Sequence, residues 1–297
     1  MTGKVWIADG ILLLTAMIWG VAFVVVKDTL SSFPPGFLVA IRYTISAAIT
    51  AGVFRRHLKG LTWRTCVYGA VTGLLLALAY IVQTVGLQYT TAGKNAFLTT
   101  IYVLLVPVGG LLFGNRLTRR SVFAALFMLM GIAFLSLKGE DGSGLNYGDG
   151  LTLLCGVFYA AHILAIEQFQ KKMDAYALIV LQFAFCALFA YAYSALFEQG
   201  RGVQISRGSV MGILYLAVFS TAIGMSLQNI GQSMAPSSHA SILLSMESVF
   251  GALSGCILLR EALTPTMALG FASIFVALII NSLGQKHREE PQSGGVS

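Results

Sequence analysis

The chain alternates between apolar blocks of about twenty residues and short polar breaks. A hydrocarbon core ~30 Å thick needs about 20 apolar residues in a helix, so each block has the length of a membrane-spanning helix. Strands that cross a membrane would instead show segments of about ten residues with alternating polarity. The pattern predicts ten transmembrane helices, over residues 9–27, 34–54, 64–87, 95–113, 121–137, 148–166, 175–197, 210–231, 238–259 and 267–283.

Composition supports a lipid environment for these helices. Of the 297 residues, 57% are hydrophobic and 10% are charged, and the mean hydropathy is +0.80. An ordinary soluble domain carries about 25% charged residues, and so few charges cannot cover a surface that faces water. We therefore predict an all-α polytopic membrane protein.

Lysine and arginine are distributed unequally between the two sets of helix ends. If the N-terminus is cytoplasmic, twelve of the 19 basic residues lie at cytoplasmic ends, six lie outside, and Arg42 is the remaining one. Since cytoplasmic loops carry the excess of basic residues, we predict a multi-pass protein of the cytoplasmic (inner) membrane with both termini in the cytoplasm. Loops beside anionic lipid account for the net charge of +7, so no nucleic-acid partner is predicted.

The later blocks repeat the earlier ones. The stretch "LTTIYVLLVPVGGLLFGNRLT" (98–118) aligns without gaps with "LSMESVFGALSGCILLREALT" (244–264), which places Tyr102 opposite Ser248. Five spans per half is an odd number, so the halves must have opposite orientations, and the basic excess of the first-half loops is indeed absent from the matching loops of the second half. The pattern predicts two inverted five-helix repeats, 1–145 and 146–285, followed by a disordered cytoplasmic tail, 286–297.

Motifs of soluble catalysis are missing from the sequence. It contains no H-E-x-x-H, no phosphate-binding P-loop and no G-x-S-x-G. The four cysteines, at positions 66, 155, 186 and 256, are scattered singly through apolar blocks, where cysteine behaves as a small hydrophobic residue. We predict no enzyme, no metal site and no cofactor, and any transport would be driven by a gradient.

Polar and aromatic residues within the spans mark a candidate solute site. Polar side chains are costly in lipid and usually face an interior or a cavity, and aromatic walls with a few hydrogen-bonding groups are typical of small-molecule pockets. Packing between helices and bonds to neighbouring helices are the alternative for these residues. The predicted solute-binding residues are Trp19, Phe23, Tyr80, Gln83, Asn95, Thr99, Tyr102, Tyr159, His162, Gln228 and Ser245.

Arg42 and Glu247 are the opposite charges that lie well inside predicted spans. At ~1.5 Å per residue from the start of each span, Arg42 lies ~12 Å deep and Glu247 ~15 Å deep, both near the midplane. An unpaired ion there is costly, so we predict that the two form a charge pair, directly or through water, for which a solute carboxylate or a proton competes. The alternative is a structural arginine that bonds helix carbonyls.

Four features carry a family resemblance. They are Arg42 and the stretches "AMIWGVAFVVVKDTL", "KNAFLTTIYVLLVPVGGLLFGNRLT" and "SMESVFGALSGCILLREALT". Together they resemble the EamA-type family of the drug/metabolite transporter superfamily. The resemblance implies two inverted five-helix repeats around a central cavity, used to export or exchange small metabolites, often amino acids.

The functional prediction is a secondary active transporter that exports or exchanges a small polar metabolite, an amino acid or related compound, by alternating access. Its expected partners are the solute, membrane lipid and a proton as the candidate coupling ion, and it would act as a monomer or homodimer. A multidrug exporter and a non-transporting membrane scaffold or sensor are the alternatives.

Overall fold

The computed structural model describes residues 2–114, 119–136, 145–260 and 265–286, and the regular secondary structure of this part of the chain is helical throughout. A 3₁₀-helix (Leu111–Phe113) and a π-helix (Leu216–Met225) interrupt the α-helices. The predicted tail, apart from residue 286, lies outside the described residues. The α-helices are α1 (Thr2–Thr29), α2 (Pro35–Val53), α3 (Trp63–Leu87), α4 (Ala92–Thr99), α5 (Tyr102–Gly110), α6 (Arg119–Ser136), α7 (Tyr147–Phe169), α8 (Ala175–Phe197), α9 (Arg207–Tyr215), α10 (Ser226–Met234), α11 (Ser237–Leu244), α12 (Glu247–Leu258) and α13 (Pro265–Lys286).

Eight helical segments in the described residues are long and apolar enough to cross a membrane. They correspond to eight of the ten predicted blocks, with boundaries that differ by a few residues. The fifth and tenth blocks correspond to α6 and α13, whose apolar cores are shorter, and these two helices pack against each other. The eight segments are Trp6–Thr29, Pro35–Val53, Trp63–Leu87, Ala92–Phe113, Tyr147–Phe169, Ala175–Phe197, Arg207–Met234 and His239–Leu258.

Several helices begin where a polar side chain replaces the missing backbone partners of the first turn. The Asn146 side chain accepts from the backbone N–H of Asp149, and the Asp149 carboxylate accepts from the N–H of Asn146, which together start α7. Asp174 accepts from the N–H groups of Tyr176 and Ala177 at the start of α8. Such caps satisfy N–H groups that have no partner inside the helix, so short polar breaks are sufficient to end one span and begin the next.

Two of the segments that could cross a membrane contain a tightened turn near their middle. Thr100 lies between α4 and α5, and its hydroxyl donates to the carbonyl of Phe97 at 2.6 Å. Ser245 lies between α11 and α12, and its hydroxyl donates to the carbonyl of Ile242, also at 2.6 Å. In both turns the backbone forms short-range bonds of the 3₁₀ type, which often mark a hinge inside a helix.

The two turns give a common point at which the two segments can be compared. The sequence alignment placed Tyr102 opposite Ser248, at a separation of 146 residues, whereas Thr100 and Ser245 are 145 residues apart. Tyr102 and Glu247 then occupy the same place, each as the first residue after its turn. Comparison of the two segments by their turns therefore differs by one position from the alignment of their sequences.

A close helix crossing places the second of these segments against α1. A Cβ atom on Gly20 would lie 2.7 Å from the backbone nitrogen of Gly251, so a larger residue cannot occupy this position without moving α12. Gly251 in turn faces Ala96 of α4. Small residues let helix backbones approach closely in a membrane, and the crossing holds α1, α4 and α12 together beside Glu247.

Candidate functional site

A cavity of about 40 Å³ lies between helices from the first half of the chain (up to residue 145) and helices from the second half. One water molecule needs about 10–15 Å³ on this scale, so the cavity in this conformation has room for a few small groups. Both halves contribute to its walls. The lining residues are Trp19, Ala22, Phe23, Val26, Arg42, Tyr80, Gln83, Thr84, Leu87 and Tyr102 from the first half, and Tyr159, Ile163, Ser220, Gln228, Leu244 and Glu247 from the second.

Arg42 reaches the cavity from α2, and side chains of the second half hold its guanidinium. Nη2 donates to the hydroxyl of Ser220 at 2.8 Å, and Nε donates to the hydroxyl of Thr221. The guanidinium carbon also lies 4.7 Å from the ring centroid of Tyr80, within cation–π distance. Arg42 is only 3% exposed, and because all these partners are neutral, none of them compensates its positive charge.

Glu247 reaches the cavity from the first residue of α12. Its Oε1 accepts a hydrogen bond from the hydroxyl of Tyr102 at 3.2 Å. Among the described residues Glu247 has no ion pair, and its nearest cavity cation, Arg42, is bonded elsewhere. The predicted direct contact between Arg42 and Glu247 is therefore absent here, although both side chains line one cavity; a link through water or solute stays a prediction.

Gln83 is fixed in orientation by residues of two neighbouring elements. Its Oε1 accepts from the hydroxyl of Tyr159 at 2.9 Å, and its Nε2 donates to Thr99 at 2.9 Å. The Thr99 hydroxyl in turn donates a hydrogen bond to the carbonyl of Asn95 at 2.8 Å. Gln83 thus presents a fixed amide to the cavity, whereas Thr99 supports it from behind.

Seven of the predicted solute-binding residues lie on the cavity wall. The aromatic rings of Tyr80 and Tyr159 meet edge to face, with centroids 5.4 Å apart, and form one continuous surface. Trp19 is held in place because its indole nitrogen donates to the carbonyl of Ser220 at 2.9 Å. The seven residues are Trp19, Phe23, Tyr80, Gln83, Tyr102, Tyr159 and Gln228; whether they bind a solute stays a prediction.

The other four predicted residues are buried outside the cavity wall and have protein partners. Thr99 supports Gln83, as described, and Asn95 donates to the hydroxyl of Thr152 at 2.7 Å. The ring of His162 bonds the side chain of Gln182 at 2.8 Å. Ser245 donates to the backbone of its own tightened turn. Thr99, Asn95 and His162 thus join neighbouring helices, which was the alternative for polar residues inside spans, whereas Ser245 bonds its own backbone.

Sequence reasoning missed the π-helix and the two hydroxyls it presents to Arg42. Ser220 and Thr221 follow no polar stripe in the sequence, and they face Arg42 from a π-helix, whose turns hold more residues than those of an α-helix. Such π-helical insertions occur frequently at functional sites. The one available signal was two adjacent hydroxyl residues in an apolar block.

The two ends of α1 carry polar clusters that lie on either side of the cavity. At its start, Asp9 contacts the ring of His239 at 2.6 Å. At its end, Lys27 donates to the carbonyls of Leu87 and Thr90. The 18 residues from Asp9 to Lys27 span ~27 Å at ~1.5 Å each, close to the thickness of a hydrocarbon core, and Trp19 lies near their midpoint.

Helices long and apolar enough to cross a membrane, with a buried cavity between them, are typical of membrane transporters. The model of the EamA-like transporter family matches the chain twice, over residues 6–137 and 146–283. The chain therefore belongs to the EamA-like transporter family.

Relatives over most of the chain have transporter names. An "Uncharacterized transporter" of Archaeoglobus fulgidus is 35% identical over 277 residues, which cover 93% of this chain and 86% of the relative. A "Probable amino-acid metabolite efflux pump" of Salmonella typhimurium is 24% identical, with 97% of this chain and 99% of the relative covered. The "Threonine/homoserine exporter RhtA" of Escherichia coli K12 is 30% identical over 179 residues, 60% of this chain and 59% of the relative.

A solved crystal structure shares this fold. It superposes with a TM-score of 0.75 at 17% sequence identity and covers 95% of this chain and 99% of the other. At that identity the likeness concerns the arrangement of helices alone.

Proposed function

We propose that this protein is a secondary active transporter that exports or exchanges a small polar metabolite, an amino acid or related compound, across the cytoplasmic membrane. The observation that carries this proposal is the cavity between the two halves, where hydrogen-bonding groups, aromatic rings and two charges lie beside residues 19–26 of α1. Midplane sites between two repeats are the usual arrangement of secondary transporters. In this proposal ten spans form two inverted repeats, 1–145 and 146–285, with both termini in the cytoplasm.

Matched positions around the cavity support an internal two-fold relation. Trp19 and Tyr159 are 140 residues apart, as are Phe23 and Ile163, and all four line the cavity. The separation of 140 residues is also the offset between the starts of the two family matches, 6 and 146.

Among the helices that follow in each half, the matched cavity residues are slightly farther apart in the sequence. Gln83 and Gln228 are 145 residues apart, as are Tyr102 and Glu247, and these four also line the cavity. A cavity lined by equivalent residues of two repeats can open to either side when one repeat rocks against the other, which is alternating access.

The solute class rests on the names of two relatives and on the polarity of the cavity. One relative is named for amino-acid metabolite efflux and the other for threonine and homoserine export. The amides of Gln83 and Gln228 and the charges of Arg42 and Glu247 offer donors and acceptors to such solutes.

Counterflow in proteoliposomes tests the proposal. The purified protein is reconstituted, the vesicles are loaded with an unlabelled amino acid, and uptake of the same labelled compound is followed for L-threonine, L-alanine, L-leucine and L-aspartate. We expect uptake above protein-free vesicles for at least one of these. If none is taken up while ethidium is, the multidrug alternative replaces the proposal; if nothing moves, the non-transporting alternative gains support.

A further inference from the structure

We propose that Arg42 and Glu247 bind the two charged ends of a zwitterionic solute. In this arrangement the guanidinium binds the solute carboxylate and the Glu247 carboxylate binds the solute ammonium group. The inference rests on the proposed function, because it specifies the solute of the same cavity as a small α-amino acid. It also assigns each residue to one end of that solute.

The two charges break the two-fold relation of the cavity. At a separation of 140 residues the equivalent of Arg42 is Gln182, and at 145 the equivalent of Glu247 is Tyr102. Both equivalents are neutral, and the Gln182 side chain forms hydrogen bonds with His162 and Asn229. The scaffold therefore accepts a neutral residue at each position, and a single cation and a single anion give the cavity two unlike ends. Unlike ends suit a solute whose own ends are unlike.

Each charged side chain keeps an atom available for a ligand. Of the guanidinium nitrogens, Nε and Nη2 are bonded, whereas Nη1 has no protein partner among the described residues. Of the carboxylate oxygens, Oε1 is bonded to Tyr102, whereas Oε2 has no protein partner there. Arg42 is 3% and Glu247 is 4% exposed, so both charges are removed from bulk water. Buried charges are costly unless they are compensated, and a zwitterion supplies the missing partner of each.

A chain of contacts joins the two charges along one wall of the cavity. Arg42 lies over the ring of Tyr80, Tyr80 meets Tyr159, and the Tyr159 and Tyr102 rings are 6.4 Å apart. Tyr102 then donates to Glu247. The charges therefore bracket a short aromatic surface, which would contact the carbon atoms of the solute.

The remaining walls limit the solute side chain. Trp19, Phe23 and Leu87 leave a cavity of about 40 Å³, against the roughly 10–15 Å³ that one water needs. A solute with a short side chain needs the least expansion of this space. We therefore expect L-alanine and L-threonine to be accepted better than L-leucine.

Counterflow of single-charge analogues tests the inference. L-alanine is compared with propionate, which lacks the ammonium group, and with ethylamine, which lacks the carboxylate; L-threonine is compared with 3-hydroxybutyrate and 1-amino-2-propanol. We expect each zwitterion to be taken up at least about tenfold faster than its analogues, because a lost hydrogen bond to a charged group costs about 1.5–3 kcal/mol. Equal uptake of the zwitterion and either analogue would overturn the inference. If no compound moves at all, the proposed function fails instead.

Variants assign each charge to its end of the solute. Arg42→Gln should raise the half-saturating concentration of the zwitterion at least about tenfold, and Glu247→Gln should do the same while improving the uptake of the carboxylate-only analogue. Thr44→Val on the same helix is the matched control, because its hydroxyl bonds the carbonyl of Ala40 and does not line the cavity. Monodisperse elution and unchanged thermal unfolding serve as the fold check.

Counterflow also separates solute binding from proton coupling at Glu247. Exchange of identical solutes needs no proton gradient, so a carboxylate that only carries the coupling proton can be neutralised without loss of exchange. Unchanged exchange kinetics and unchanged selectivity in Glu247→Gln would therefore reject its role as ammonium ligand. Arg42→Lys gives a second reading if Arg42→Gln fails to fold, since it keeps the charge but not the two bonds to Ser220 and Thr221. An equal loss of uptake for the zwitterion and for ethylamine in Arg42→Lys would contradict the assignment of Arg42, because a carboxylate ligand affects only the solute that has a carboxylate.

Discussion

A polar cluster lies beside each end of α1. Both clusters contain an aspartate paired with a basic residue, but they differ in burial and in the number of hydrogen bonds. Asp9 lies three residues after the start of the first family match, at 6, and Asp149 lies three residues after the start of the second, at 146. Each aspartate contacts a basic residue of the other half, His239 in one case and Lys94 in the other. Lys94 is the third residue of α4, and His239 is the third residue of α11. Both clusters therefore pair an aspartate with a basic residue of the other half of the chain.

The lysine end, formed by Lys27, Thr90, Lys94, Asn146 and Asp149, is the more completely bonded. The Asp149 side chain is fully buried, and its Oδ2 lies 2.5 Å from the Lys94 Nζ. Its Oδ1 accepts from the Thr90 hydroxyl at 2.8 Å, and Oδ2 also accepts from the Asn146 N–H at 2.8 Å. The same carboxylate thus joins α7 to α4 and caps α7.

The histidine end, formed by Asp9, Glu167, Lys171, Ser237 and His239, is more open to solvent. The Asp9 side chain is 24% exposed where it meets His239. Ser237 donates to Glu167, and Glu167 faces Lys171, whose side chain is 59% exposed. Screened and partly exposed ion pairs contribute little. The two clusters therefore differ in how well they shield the ends of the helix bundle from solvent, although their composition is similar.

Replacing Asp149 should have the largest effect of the changes at the two ends. Asp149→Ala leaves Lys94 without its carboxylate and removes the bonds to Thr90 and Asn146, and breaking a buried pair in this way costs about 3–5 kcal/mol. We expect a clear drop in the thermal unfolding midpoint of the purified protein. Asp149→Asn keeps a capping side chain and should recover part of the loss. A midpoint equal to that of the unchanged protein would show that this end is not held by the carboxylate.

Replacing Asp9 should have a smaller effect, which is the sharpest test of the difference between the ends. Asp9→Ala removes a partly exposed contact, and such pairs contribute about 0–1 kcal/mol. We expect a small shift in the unfolding midpoint, well below that of Asp149→Ala under the same conditions. Equal shifts would remove the distinction between the two ends.

Replacement of Asp149 should also increase solvent access to the cavity more than replacement of Asp9 does. In a background without cysteines, Thr84→Cys places a thiol on the cavity wall, one turn of α3 before Leu87, whose carbonyl accepts from Lys27. Because the lysine end is held by Asp149, adding Asp149→Asn should increase labelling by a membrane-impermeant maleimide more than adding Asp9→Asn does. Faster labelling with Asp9→Asn would place the weaker closure at the lysine end.

The smallest effect is expected from Lys171. Its pair with Glu167, at 3.5 Å and four residues apart on one helix, belongs to a class worth about 0.2–0.5 kcal/mol. Lys171→Ala should leave the unfolding midpoint within measurement error and become still less distinguishable at high salt. A shift as large as that of Asp9→Ala would mean that the pair with Glu167 contributes as much to the histidine end as Asp9 does.

Helix placement was predictable from the sequence because hydropathy and helix length are local properties. The blocks 9–27 and 175–197 need no knowledge of their neighbours to be identified as spans. Interruptions within a span were not predictable, since the tightened turns at Thr100 and Ser245 and the π-helix at 216–225 lie inside segments whose hydropathy predicts one continuous helix.

The sequence could identify which residues are expensive in lipid, but it could not identify what they face. Arg42, Gln83 and Tyr102 were predicted from their polarity, and they line the cavity. Burial of Asn95 and His162 in lipid would cost as much free energy, but these two side chains form hydrogen bonds with Thr152 and Gln182. A polar side chain in a membrane helix is stabilised by any partner within reach, protein or solute, and only packing decides which one that is.

The sequence by itself determined that this protein is a bundle of membrane helices with a repeated pattern and two deep charges. Tertiary structure alone decided that Ser220 and Thr221 hold Arg42, that Tyr102 holds Glu247, and that the two charges share a cavity without touching. The physical reason is that the free energy of burying a side chain in lipid depends on that residue alone. Hydrogen bonds and cavities depend on how pairs of helices cross, and the packing of the whole bundle sets those crossings, as at Gly20 and Gly251.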